Sequence, residues 1–123
     1  MSMTICKIFR FDSAHWLPNY QGKCANLHGH SWTLEVEIAG PIDPFTGMVM
    51  DFASLKEIVK DQVLEKLDHT CLNELVKNPT CENILKWALA KLETRLKYDD
   101  KLKLKRLRLW ETPDSYAEIN YGS

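Results

Sequence analysis

The stretch His28-Gly-His-Ser-Trp-Thr-Leu-Glu-Val-Glu-Ile38 constrains the fold more than any other part of the chain. His28, His30, Trp32, Leu34, Val36 and Ile38 share one parity, and Ser31, Thr33, Glu35 and Glu37 share the other. Successive residues of a strand face opposite sides of a sheet, so this alternation predicts a strand with one apolar face and one polar face. Two histidines therefore point the same way as the apolar residues. Such a strand needs partners on its edges and a layer over its apolar face.

The rest of the chain offers both. Residues 4–14 are rich in β-branched and aromatic types and read as a first strand. Gly40-Pro41, Asp43-Pro44 and Thr46-Gly47 end the second strand. A helix is expected over residues 52–67, with Leu55, Ile58, Val59, Val63 and Leu67 on one side and Ser54 with Glu57 as a capping box. Asn78-Pro79-Thr80 punctuates the chain before a second helix, with Glu82 well placed against its dipole and Leu85, Ala88, Leu89, Leu92 and Leu96 as its apolar stripe. Residues 102–112 and 115–121 then read as two strands joined by a tight turn at Pro113-Asp114. The apolar parity switches between Leu104 and Leu107, which calls for a bulge or a late strand start. The order β-β-α-α-β-β predicts an α+β fold, a four-stranded antiparallel sheet with two helices on one face. Its other face and its edges are left bare, and oligomerisation is the economical way to cover them.

Composition excludes several classes. The 123 residues fit one domain, 1–123, without linker, repeat or low-complexity segment. Sixteen Lys and Arg against seventeen Asp and Glu leave a net charge of −1, which argues against a basic nucleic-acid module. No apolar run nears the ~18 residues of a membrane span, so no membrane partner is expected. Lys7 and Arg10 interrupt any signal-peptide core, and the expected location is cytoplasmic. Cys6, Cys24, Cys71 and Cys81 show no CxxC spacing. Four reduced thiols follow, each by default a small buried hydrophobe, with Cys24 the exception.

His15, His28, His30 and His69 are the only histidines. In His28-Gly-His30 the two Cα atoms lie about 7 Å apart at the strand rise, which lets both rings reach one ion. His15 ends the preceding strand, where an antiparallel neighbour can bring it alongside. Three histidines without a fourth protein ligand describe a catalytic zinc site with one open position. Cys24 lies just ahead of this pair and suits either metal ligation or a base beside the metal; a nearby cation favours the thiolate in both roles.

Six ordered motifs carry a family resemblance: Phe11-Asp-Ser-Ala-His15, Cys24-x-x-x-His28-Gly-His30, Met48-Val-Met-Asp51-Phe52, Leu67-Asp68-His69-x-x-Leu72-Asn73, Pro79-Thr-Cys-Glu82-Asn83 and Trp110-Glu111-Thr112. Together they resemble the 6-pyruvoyl-tetrahydropterin synthase superfamily over nearly the whole sequence. Three residues between Cys24 and His28 resemble the bacterial 6-carboxy-5,6,7,8-tetrahydropterin synthase branch of queuosine precursor synthesis, as does the short overall length.

The resemblance implies a tunnelling fold, in which sheets close into a barrel in the oligomer. It implies a homohexamer built as a dimer of trimers, with active sites at subunit interfaces. It implies Zn2+ on His15, His28 and His30, and a pterin triphosphate, 7,8-dihydroneopterin triphosphate, as substrate. The reaction implied is that of a lyase: 6-carboxy-5,6,7,8-tetrahydropterin forms, with acetaldehyde and triphosphate released. Cys24 is then the general base, Asp68 and His69 its relay, and Glu111 the pterin anchor and a further relay member. Thr80, Cys81 and Glu82 are expected to bind substrate through backbone groups. Other readings are a 6-pyruvoyl-tetrahydropterin synthase, which stops at triphosphate elimination, and a catalytically silent metal- or pterin-binding oligomer. Lys23, Arg106, Arg108 and the lysines at 101, 103 and 105 are available to a triphosphate, with none singled out.

Overall fold

A computed structural model describes residues 2–121. Strands β1 (Ser2–His15), β2 (His28–Pro41), β3 (Lys103–Thr112) and β4 (Ser115–Asn120) form one sheet in the order β1-β2-β3-β4, every pair antiparallel. Between β2 and β3 lie two helices. Helix α1 opens as Phe52–Val59, widens into a π-helical stretch at Lys60–Leu64 and closes with Glu65–Leu67. Helix α2 is Cys81–Leu96. No helix among the described residues is long and apolar enough to cross a membrane.

The alternation in β2 is realised as expected. Trp32, Leu34, Val36 and Ile38 are buried against the helices, and Phe9, Phe11, Leu107 and Leu109 flank them on the neighbouring strands. Leu55, Val59, Val63 and Leu67 of α1 and Ile84, Leu85, Ala88 and Leu92 of α2 close the core from above. Full burial of one aliphatic residue contributes ~1.5–3 kcal/mol relative to exposure, so this two-layer core holds the sheet to its helices.

Two local expectations change. The cap of α1 is Asp51, whose Oδ1 accepts from the Ala53 N–H at 2.8 Å. Ser54 falls inside the first turn, because Asp51 takes the extended backbone that a cap requires. None of the four cysteines is buried; Cys6 is exposed and the others are half-buried. Cys6 lies on the polar face of β1, while Cys24, Cys71 and Cys81 lie in connections or at a helix start.

The bulge is where the parity switch puts it. Glu37 pairs with Arg106 and Ile38 with Leu104, which leaves Lys105 as the extra residue of β3. A second irregularity follows on the other edge of β3, where Trp110 pairs with Tyr116 and Thr112 with Ser115, leaving Glu111 without an opposite residue. Bulges commonly re-aim a side chain at the end of a strand.

On the face away from the helices, Arg106 lies 3.1 Å from Glu35 and 2.9 Å from Glu37. Glu118 joins both Arg106 and Arg108, and the Trp110 indole donates to Glu35 at 2.6 Å. At the far end of β2, a Cβ on Gly40 would stand 3.0 Å from the Lys101 carbonyl and 3.1 Å from a Leu102 methyl, so only glycine lets the β3 approach pack this closely.

Candidate metal centre

Antiparallel pairing sets His15, the last residue of β1, directly against His28, the first of β2. His30 follows two residues along, opposite Ser13 and on the same face. One ring nitrogen from each of the three lies within 4.8 Å of the others. At two of the rings the other nitrogen is committed to the backbone: His15 Nδ1 lies 2.7 Å from the Pro79 carbonyl and His28 Nδ1 2.7 Å from the Asn26 carbonyl. A carbonyl only accepts, so each of these Nδ1 atoms carries the proton and each Nε2 presents a lone pair.

The Nε2 atoms of His15 and His30 are buried and lack any hydrogen-bond partner. Native proteins pair nearly all buried polar atoms, and an unpaired one costs ~1–3 kcal/mol. Burial holds both imidazoles below their ordinary range, opposed at His15 by the Pro79 carbonyl and at both rings by the Glu111 carboxylate. Neutral imidazole is the form that binds a metal. Two orphaned ring nitrogens and a third histidine at their side therefore fit a divalent ion held by nitrogen ligands.

Glu111 stands at the edge of this cluster, its Oε1 3.7 Å from His15 Nε2. It also lines a cleft of about 200 Å³ with Cys81, Glu82, Ser115, Tyr116 and Ala117. The Cys81 thiol donates to the Leu109 carbonyl at 3.2 Å, and burial pushes its pKa up to about 12, so it stays protonated. Thr80 caps α2, with its Oγ1 accepting from the Asn83 N–H at 3.1 Å.

Cys24 sits on a short 3₁₀ turn, Lys23–Ala25, in the connection between β1 and β2. Its carbonyl accepts from the Leu17 N–H at 2.9 Å. Asp68 and His69 follow α1 and lie along the free edge of β1. Asp68 Oδ1 accepts from the Asp12 N–H at 2.9 Å and lies 2.9 Å from His69 Nδ1. The Asp12 N–H, seconded by His69, holds the Asp68 carboxyl below its usual range. His69 adopts φ +58°, and its own N–H donates to the Asp12 carbonyl at 2.6 Å. Its imidazole is 78 % exposed and lines a wider cleft that His30, Gly29, Ser31 and Cys71 also border. The histidines and Glu111 lie together and Asp68 lies against His69, and among the described residues no hydrogen bond joins Cys24 to either of that pair.

Sequence reasoning missed the groups that orient the ligands. Pro79 and Asn26 act through carbonyl oxygens, which every residue type has, so no sequence signal marks them. Asn73 was visible only as a motif position. Its side chain accepts from the Trp16 N–H at 3.0 Å and donates to the Trp16 carbonyl at 2.8 Å.

Residues 4–121 match the family described as 6-pyruvoyl tetrahydropterin synthase. A Haemophilus influenzae protein named 6-carboxy-5,6,7,8-tetrahydropterin synthase is 36% identical, over 93% of this chain and 96% of its own length. A Pyrococcus furiosus protein named dihydroneopterin monophosphate aldolase is 41% identical, over 90% of this chain and 91% of its own. The solved structure of Caenorhabditis elegans 6-pyruvoyl tetrahydropterin synthase superposes with a TM-score of 0.86 at 27% identity, covering 99% of this chain and 97% of that one. With a family match spanning nearly the full length, the chain belongs to the 6-pyruvoyl tetrahydropterin synthase family.

Proposed function

We propose that this protein is a zinc-dependent pterin lyase that converts 7,8-dihydroneopterin triphosphate and water to 6-carboxy-5,6,7,8-tetrahydropterin, with release of acetaldehyde and triphosphate, in queuosine precursor synthesis. The observation that carries the reading is the pair of buried, unpartnered Nε2 atoms on His15 and His30 beside His28, with Glu111 at the same edge. His15, His28 and His30 hold the ion, and a bound zinc supplies Lewis acidity toward the hydroxyl groups of the substrate.

The protein's own residues supply the rest. The Glu111 carboxylate accepts two parallel hydrogen bonds from the amino-pyrimidinone edge of the pterin, at the mouth of the cleft it shares with Cys81 and Glu82. Backbone groups of Thr80, Cys81 and Glu82 at the start of α2 hold the ring. Cys24 as thiolate removes a proton from a carbon of the pterin's hydroxylated substituent, a role that general-base catalysis rewards with ~10²–10⁴-fold in rate. The exposed His69, oriented by Asp68, relays that proton. Because one protomer leaves Cys24 and His69 unjoined, the relay is completed by a second copy, in a homohexamer built of two trimers. The already paired charges of Glu35, Glu37, Arg106 and Glu118 suit a sheet face enclosed in such an assembly.

The relative named dihydroneopterin monophosphate aldolase favours a second reading, carbon–carbon cleavage of a monophosphorylated dihydropterin at the same site. Anaerobic incubation of the zinc-loaded protein with each phosphorylated dihydroneopterin, followed by mass spectrometry, separates the two. A 6-carboxy pterin with acetaldehyde from the triphosphate supports the main reading. A 6-pyruvoyl product, cleavage of the monophosphate alone, or a bound but unchanged pterin overturns it.

A further inference from the structure

His15 is a proposed metal ligand and Cys24 the proposed base, and only eight residues separate them in the sequence. The first two of those residues are held by specific contacts. Trp16 is gripped on both backbone polar groups by the Asn73 carboxamide, at 3.0 Å from its N–H and 2.8 Å from its carbonyl. Leu17 then donates its N–H to the Cys24 carbonyl at 2.9 Å. The Asn73 side chain thus pairs with residue 16 as a neighbouring strand would, one residue before the backbone turns back to meet Cys24.

Neither histidine anchor depends on this grip. His15 is fixed by Pro79 and His28 by Asn26. The segment that carries Asn73 is itself tied to β1 on its other side, through Ala14 N–H to the Thr70 carbonyl at 3.1 Å and through His69 to Asp12. Asn73 therefore spans from the Asp68–His69 segment to the root of the Cys24 loop.

The geometry points to Asn73 as a positioning residue that sets the Cys24 loop against the histidine cluster; the assignment rests on Cys24 being the base of the proposed pterin chemistry. Removing the carboxamide frees residue 16, loosens the Leu17–Cys24 hydrogen bond and lets the thiol drift, while the three histidines keep their places. A reacting group displaced by ~1 Å can cost up to ~10²-fold in rate, so kcat is expected to fall toward that order while KM and bound zinc hold.

The test compares wild type, Asn73→Ala and Asn73→Asp on the zinc-loaded protein, with amide hydrogen exchange at Leu17 and iodoacetamide modification of Cys24 mapped by peptide mass spectrometry. An unstructured cysteine-containing peptide added to each reaction serves as the reference for reagent reactivity. Faster exchange at Leu17 and faster modification of Cys24 in Asn73→Ala, with zinc content unchanged, are expected. Asn73→Asp keeps the acceptor for the Trp16 N–H and should lie between the two. Unchanged Leu17 protection and unchanged Cys24 modification in both variants overturn the assignment. These two readouts need no substrate, so they stand apart from any failure of the pterin reading; the kcat against KM split is then read with the dihydropterin.

Discussion

The Nδ1 atom of His15 lies 2.7 Å from the carbonyl oxygen of Pro79, the residue just ahead of the Thr80 cap of α2. That contact decides which nitrogen of a buried ring carries the proton, and it leaves Nε2 free to face His28 and His30. Sheet and helix layer meet at this point, so the residue that leads into α2, a helix packed over β3 and β4, also fixes a ligand lone pair on β1.

The first consequence concerns the tautomer. In metal-free protein at pH 7, His15 should be neutral with its proton on Nδ1, because burial disfavours the charged ring and the Pro79 carbonyl can only accept. Long-range 15N–1H correlation spectra of the imidazoles distinguish the two nitrogens. A proton on Nε2 would contradict this orientation of the site.

Replacement of Cys24 by alanine should lower pterin turnover by ~10²–10⁴-fold while zinc stays bound, as expected of a base and not of a ligand. Elemental analysis beside the rate measurement separates the roles. Loss of zinc together with activity would make the thiol a ligand.

His69 holds φ +58°, a conformation that costs a residue with a Cβ about 1–2 kcal/mol more than glycine. His69→Gly should therefore be more stable than His69→Ala by roughly 1 kcal/mol, with turnover impaired in both. Urea unfolding measures the difference. An alanine variant as stable as the glycine one would show that the backbone relaxes at no cost.

Asp68 accepts from the Asp12 N–H, so its folded-state carboxyl titrates below its unfolded value. The sign follows from linkage: the stabilisation is complete above the unfolded value of ~3.9 and is lost as pH falls through the lower, folded one. The stability difference between wild type and Asp68→Asn should thus be largest near neutrality and shrink in acid. A difference that stays constant down to about pH 2, below the ordinary carboxylate range, would assign it to something other than the carboxylate charge.

The fold was largely legible because hydrophobic alternation and helical periodicity report burial directly. The parity of His28 to Ile38 predicted the buried face of β2, and the switch between Leu104 and Leu107 called for a bulge or a late strand start, of which the bulge at Lys105 is the one formed. The His15–His28–His30 cluster was legible too, since strand alternation and antiparallel pairing are simple geometry. What escaped was whatever depends on backbone groups or on one residue's conformation. Pro79 and Asn26 orient imidazoles through carbonyls, the π-helical stretch of α1 leaves its periodicity recognisable, and Asp51 displaced Ser54 as a cap because both types cap well.

The proposed pterin chemistry depends on a metal held by the three histidines. The most direct test of that dependence is to strip the protein with a chelator, titrate zinc back, and follow consumption of 7,8-dihydroneopterin triphosphate. Without metal no turnover is expected, with zinc activity rises to a break at one ion per protomer, and His30→Ala does not recover. Full turnover by the stripped protein, or by His30→Ala at one equivalent of zinc, would contradict it.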